Sequence, residues 1–181
     1  MKKVLYVSNI EVPYRTEFFN QLSKKCDLTV LYERKKSSNR NEKWTSSKKG
    51  TFKSYILNGL KIKNENSFSF KITKYLNRDY DLIILGCSNS IVQIYASIIM
   101  KILKIKFYYN IDGEYFYNCN AIKRFIKKSL LKMASGYFVA GEKSAERVKK
   151  IVNSDKVYCY NFSSLSLDEI IENSKQINNG K

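Results

Sequence analysis

The residues able to do chemistry gather in four short polar stretches, each closing an apolar run. The first is Ile10-Glu11-Val12-Pro13-Tyr14-Arg15, where a phosphate-binding loop would carry glycines. Arg15 offers a guanidinium whose fork of donors suits oxyanions, and Tyr14 offers a phenol beside it. The second stretch is Gly86-Cys87-Ser88-Asn89-Ser90. Gly86, Ser88 and Asn89 are ligand-binding candidates there, against the plainer roles of a tight turn for Gly86 and a helix cap for Ser88 or Ser90. The third is Asp112-Gly113-Glu114. A carboxylate at Asp112 can act as a general base or can simply cap the turn that follows. The fourth is Gly141-Glu142, where Glu142 can accept from a ligand hydroxyl or favour a helix start by about 0.3–1 kcal/mol.

Other chemistries lack their residues. The chain has no histidine, and its four cysteines (Cys26, Cys87, Cys119, Cys159) lie at no metal-binding spacing. A zinc site and a histidine-dependent triad are therefore not expected. The cysteines sit in or beside apolar stretches, where a reduced thiol behaves as a small hydrophobe, which suits a reducing cytosol. No signal peptide is read at the start. The apolar stretch over 91–105 is too short for a bilayer and is interrupted by Gln93, Lys101 and Lys104.

The 181 residues fit one domain, with 33 Lys and Arg against 16 Asp and Glu, a net charge of +17. Such a charge follows from a codon bias toward lysine and asparagine, or serves attraction to an anionic surface. Fourteen tyrosines, ten phenylalanines and a single proline argue for a folded core rather than disorder.

The elements that must position these residues alternate. Strands are expected over 3–8, 28–32, 52–57, 81–85, 106–111, 137–140 and 156–161. Helices are expected over 13–25, 67–78, 91–105, 121–134 and 143–152, the second with Phe68, Ile72, Tyr75 and Leu76 on one side. Residues 33–50 form a long lysine-rich loop around Trp44. Residues 166–181 form a short terminal helix or a frayed tail. Near-continuous apolar strands alternating with helices predict an α/β domain, a Rossmann-like doubly wound parallel sheet with helices on both faces. In such sheets ligands bind at the carboxyl ends of the strands, which gathers the four polar stretches at one edge.

Taken in order, VLYVSNIEVPYRTEFFNQLSKKCDLTVLYE, YDLIILGCSNS, FYYNIDGEY, ASGYFVAGEKSAERVKK and VYCYNFSSL resemble the amino-terminal half of a GT-B glycosyltransferase. The nearest likeness is to the GT4-like enzymes of bacterial polysaccharide synthesis, over residues 3 to 165. The resemblance implies an acceptor-binding half that works with a second domain gripping a nucleotide sugar, with no metal and no other cofactor. It implies transfer of a hexosyl group to an acceptor hydroxyl, with Asp112 as catalytic candidate. Tyr14, Arg15, Gly86, Ser88, Asn89, Gly113, Glu114 and Glu142 would contact substrate. Many members carry two glycines in the first loop; here Val12-Pro13-Tyr14-Arg15 stands instead, so Arg15 would meet an acceptor or phosphate by its side chain. The donor half and its glutamate pair do not follow within the 181 residues, so activity would depend on a donor-binding domain on another chain, or on a homodimer.

Acceptors in such families are often lipid-linked. Lys123, Arg124, Lys127 and Lys128, on a helix whose other side carries Ile122, Phe125, Ile126 and Leu130, are accordingly candidates for an anionic membrane surface. The expected location is cytoplasmic, with a peripheral seat on the inner face of the membrane. The rival expectation is a non-catalytic basic module for a membrane surface or RNA. Nucleic acid is the weaker partner, since no nucleic-acid fold signature is present and the tyrosines fall at core-compatible positions.

Overall fold

Apolar strands with no polar alternation cannot leave a face to water, so they must be covered on both sides. The computed structural model describes residues 1–34, 50–62, 66–86, 89–112 and 120–161, with the side chains of 61, 66 and 123 outside that set. In chain order the elements are β1 (Lys3–Ser8), α1 (Pro13–Ser23), β2 (Asp27–Tyr32), β3 (Lys53–Ile56), β4 (Leu60–Ile62), β5 (Asn66–Phe68), a 3-10 helix (Phe70–Tyr75), β6 (Leu82–Leu85), α2 (Ile91–Ile102), β7 (Tyr108–Ile111), α3 (Ala121–Leu131), β8 (Gly136–Ala140), α4 (Glu142–Val152) and β9 (Val157–Tyr160).

Seven strands form one parallel sheet in the order β3-β2-β1-β6-β7-β8-β9, and β4 and β5 pair as a separate antiparallel hairpin. The expected α/β, Rossmann-like architecture is the one observed. The sheet order reverses between β1 and β6, which sit side by side with Val4 opposite Leu82 and Val7 opposite Leu85.

Strand parity divides the core in two. Leu5 and Val7 of β1 join Ile83, Leu85, Tyr109, Tyr137 and Val139 in a large cluster with Val92, Ala96 and Met100 of α2 and Ala145, Val148 and Val152 of α4. Val4 and Tyr6 point the other way, to Phe19 of α1 with Leu28, Val30, Tyr32 and Ile84. Phe19 is fully buried, its ring edge-on to Tyr6 at 4.8 Å and to Phe52 at 5.5 Å. Burying one such phenylalanine contributes about 1.5–3 kcal/mol.

One expectation is corrected. The helix over 67–78 is instead a strand followed by a six-residue 3-10 helix. Phe68 belongs to the hairpin, its ring 4.6 Å from Phe70 and 5.3 Å from Tyr95. Ser69 then fixes the turn: its hydroxyl donates to Leu57 O and accepts from Lys71 N–H. Side-chain bonds of this kind compete with a regular helix. Ile72 and Leu76 still reach the core, as the apolar spacing requires.

On α3 the apolar side is divided. Ile122, Phe125 and Ile126 do not pack inward; Leu130 and Leu131 do. The expected loop at 35–49, including Trp44, and the tail at 166–181 lie outside the described residues.

Candidate functional site

The carboxyl edge of the sheet carries two polar networks, one on each face. Both follow from strand parity, because a residue two positions beyond a buried one lies on the same face.

On the α1 face, β1 presents Tyr6, β7 presents Asn110 and β9 presents Tyr160. Pro13 stands at the first turn of α1, where its missing N–H costs no hydrogen bond. Thr16 ties the turn back by donating to Val12 O at 3.1 Å. That places Arg15 over the strand ends. Its guanidinium donates through one nitrogen to the Tyr6 hydroxyl at 2.8 Å and through the other to Asp112 Oδ2. Asn110 Nδ2 donates to Asp112 Oδ1 at 3.0 Å, and the Tyr160 hydroxyl lies 2.9 Å from both Asp112 Oδ1 and Asn110 Oδ1, its one proton serving one of them at a time. The Arg15 side chain is 13% exposed and that of Asp112 is 32% exposed, so the ion pair is buried on one side and open on the other.

Burial sets the ionisation here. It pushes the Tyr6 phenol up to about 12, against the pull of Arg15. Burial likewise raises Tyr160, with the Asp112 charge adding to it. Burial alone would lower Arg15; the Tyr6, Asp112 and Tyr14 oxygens reverse that and hold it raised. The site therefore presents a fixed guanidinium–carboxylate pair between two neutral phenols. Most of the lone pairs on Asp112 are engaged by these donors. Its open side can accept a hydrogen bond from an incoming hydroxyl and hold that hydroxyl in place.

On the α2 face, Asn9 and Glu33 extend β1 and β2 by one residue. Gln93, fully buried in α2, points its amide at both, 2.7 Å from Glu33 Oε1 and 3.1 Å from Asn9 Oδ1. Burial raises the Glu33 pKa, partly offset by Ser90 and Gln93.

Arg15 and Asp112 are brought into direct contact. Tyr14 is beside them, half-buried at the start of α1. Gly86 ends β6 beneath the site: a Cβ there would fall 2.8 Å from Val7 O and 2.9 Å from the Tyr6 ring. Its lack of a side chain is what lets Tyr6 lie across the strand ends. Asn89 is exposed on the rim next to buried Ser90. Glu142 opens α4 exposed to solvent after Gly141, whose φ of +80° favours glycine. Ser88, Gly113 and Glu114 lie outside the described residues.

Sequence reasoning passed over Tyr6, Asn110, Tyr160 and the Asn9–Glu33–Gln93 group. A signal existed for two of them. Asn110 is the one amide in KFYYNI, and Gln93 the one amide in IVQIYASII; a polar residue buried in an apolar element needs a partner.

The fold and the position of these networks define the class as a Rossmann-like α/β domain with its polar groups at the carboxyl edge of the strands. No protein-family model matches the chain, and no curated protein matches it.

Proposed function

We propose that the chain is the acceptor-binding half of a glycosyltransferase that moves a sugar from a nucleotide sugar to an acceptor hydroxyl in polysaccharide or lipopolysaccharide synthesis. The observation that supports the reading best is the Arg15–Asp112 contact. It joins the PYR loop to the NIDGEY segment across 97 residues of chain, and these two segments carry much of the GT-B likeness. A carboxylate open on one side and fixed by Arg15, Asn110 and Tyr160 suits an acceptor hydroxyl, which donates to it. In this reading the paired Arg15 serves to orient Asp112 rather than to grip a phosphate. A donor-binding half, on further chain or on another polypeptide, supplies the nucleotide sugar.

The test is ligand-observed NMR with the full chain against a panel of oligosaccharides and nucleotide sugars. Oligosaccharide signals should attenuate with the wild type and recover with Asp112→Asn, while nucleotide sugars show little effect. Absence of any saccharide contact, together with RNA binding of steep salt dependence, would sink the reading.

A further inference from the structure

Helix α3 shows its apolar residues to water. Ile122 is 71% exposed, Phe125 72% and Ile126 52%, while Leu130 and Leu131 at its far end are buried against the core. These three fall at i, i+3 and i+4, a single face of a helix. Leu130 continues this stripe and Leu131 lies about half a turn round from Ile122, so the stripe is buried at its far end and open over its first two turns. The helix carries Lys123, Arg124, Lys127 and Lys128 and no acidic residue. An exposed apolar stripe flanked by basic residues alone is the pattern of a helix lying in a membrane interface.

We infer that the Ile122–Phe125–Ile126 face of α3 docks on an anionic lipid bilayer, the three side chains entering among the acyl chains and Arg124 and Lys128 meeting the headgroups. Charge complementarity selects this occupant, because every charged residue of α3 is basic and the chain carries a net charge of +17. Self-association through the same face would bring two sets of basic residues together, which like-charge repulsion opposes. Among the described residues no helix is long and apolar enough to cross a membrane, so the contact is peripheral. The exposed residues occupy the end of α3 that follows β7, and Asp112 directly follows β7. Docking by this end holds the carboxyl edge of the sheet toward the bilayer. The inference rests on the proposed function only for what the edge would meet there.

The test is co-sedimentation of the full chain with vesicles of phosphatidylcholine alone and with a third phosphatidylglycerol. Anionic vesicles should bind the chain at least about tenfold more tightly than neutral ones. Phe125→Ser should weaken that binding about tenfold, and Arg124→Gln with Lys128→Gln about thirtyfold, at about fivefold for each charge. These are exposed positions, and unchanged melting of the variants will show that the fold is kept. Equal binding by Phe125→Ser would overturn the inference, leaving diffuse charge as the attraction. So would indifference to vesicles combined with Phe125-dependent dimers in sedimentation, which would make a second copy the occupant. No sugar enters this assay, so its failure and the failure of saccharide binding are separate results.

Discussion

Removing the Asp112 carboxylate should destabilise the protein more than removing the whole ion pair. In Asp112→Ala the Arg15 guanidinium, 13% exposed, loses its carboxylate partner and keeps the neutral phenols of Tyr6, at 2.8 Å, and Tyr14. Stripping one partner from a fully buried pair costs about 3–5 kcal/mol, and from an exposed pair about 0–1 kcal/mol. Arg15 lies near the first limit, but Asp112 is 32% exposed and water can enter where it stood. The expected cost is about 2–3 kcal/mol, a fall in Tm of roughly 4–12 °C for a domain of this size. Arg15→Met leaves a carboxylate that Asn110 and Tyr160 still satisfy and water still reaches, so about 1 kcal/mol is expected.

The double variant, Arg15→Met with Asp112→Ala, leaves no buried charge and should recover about 1–2 kcal/mol relative to Asp112→Ala alone, because apolar replacement of a buried pair is often close to neutral. Urea unfolding of the four proteins, followed by circular dichroism and extrapolated to water, gives the coupling energy. Additivity of the two single changes within about 0.5 kcal/mol would refute the reasoning, since it would mean that Arg15 does not depend on Asp112.

Three further outcomes are expected. Burial raises the Glu33 pKa in the folded state, so the folded protein holds that proton more tightly than the unfolded chain. Stability from this group is present at low pH and lost as pH rises from the ordinary glutamate range through the raised value. Glu33→Gln should therefore gain Tm over the wild type progressively as pH rises above the ordinary glutamate range, and a gain that does not vary with pH would remove the argument. Tyr6 and Tyr137 are both pushed to about 12 by burial. Their contribution is intact below about pH 10 and fades as pH rises through 12; absorbance at 295 nm should show tyrosines still neutral at pH 11 in the native protein, one fewer in Tyr6→Phe. Gly86→Ala should cost about 1–3 kcal/mol, because its Cβ meets Val7 O and the Tyr6 ring; thermal melting with no loss at all would show that the strand end can shift freely.

The sheet was legible because its signal is redundant. Runs such as VLYV and DLIIL repeat the same message at every position, and β1, β6, β7 and β8 are each confirmed by the helix after them. The hairpin was not, because Leu60–Ile62 and Asn66–Phe68 are three residues each, too short for a period to emerge. Phe68 fitted a helical spacing with Ile72 and Leu76; its pairing opposite Leu60 and the Ser69 side chain decide otherwise. Ile122, Phe125 and Ile126 show the converse limit. Spacing reveals that three residues share a face and says nothing of whether that face meets a core or water. In the site, Arg15 and Asp112 were legible as strand-end residues, but their contact was not, since it depends on Tyr6 and Tyr160 standing on the same side of separate strands.

The glycine-free first loop and the Arg15–Asp112 pair have one physical origin. A glycine-rich turn lets backbone N–H groups approach a phosphate; Val12 and Pro13 give up that approach, and Pro13 removes one donor outright. The positive charge at the strand ends then comes from a side chain, and a buried guanidinium without a backbone cradle needs a counter-charge. Asp112 supplies it from the other side of the order reversal between β1 and β6. With its charge already neutralised, the edge has little left to attract a dianionic phosphate. It does retain hydrogen-bonding groups in fixed positions, namely Asp112, Asn110 and Tyr160, and these suit a neutral polyhydroxyl ligand better than a nucleotide. The exchange of backbone donors for a side-chain ion pair is thus the physical reason to expect an acceptor rather than a donor at this edge.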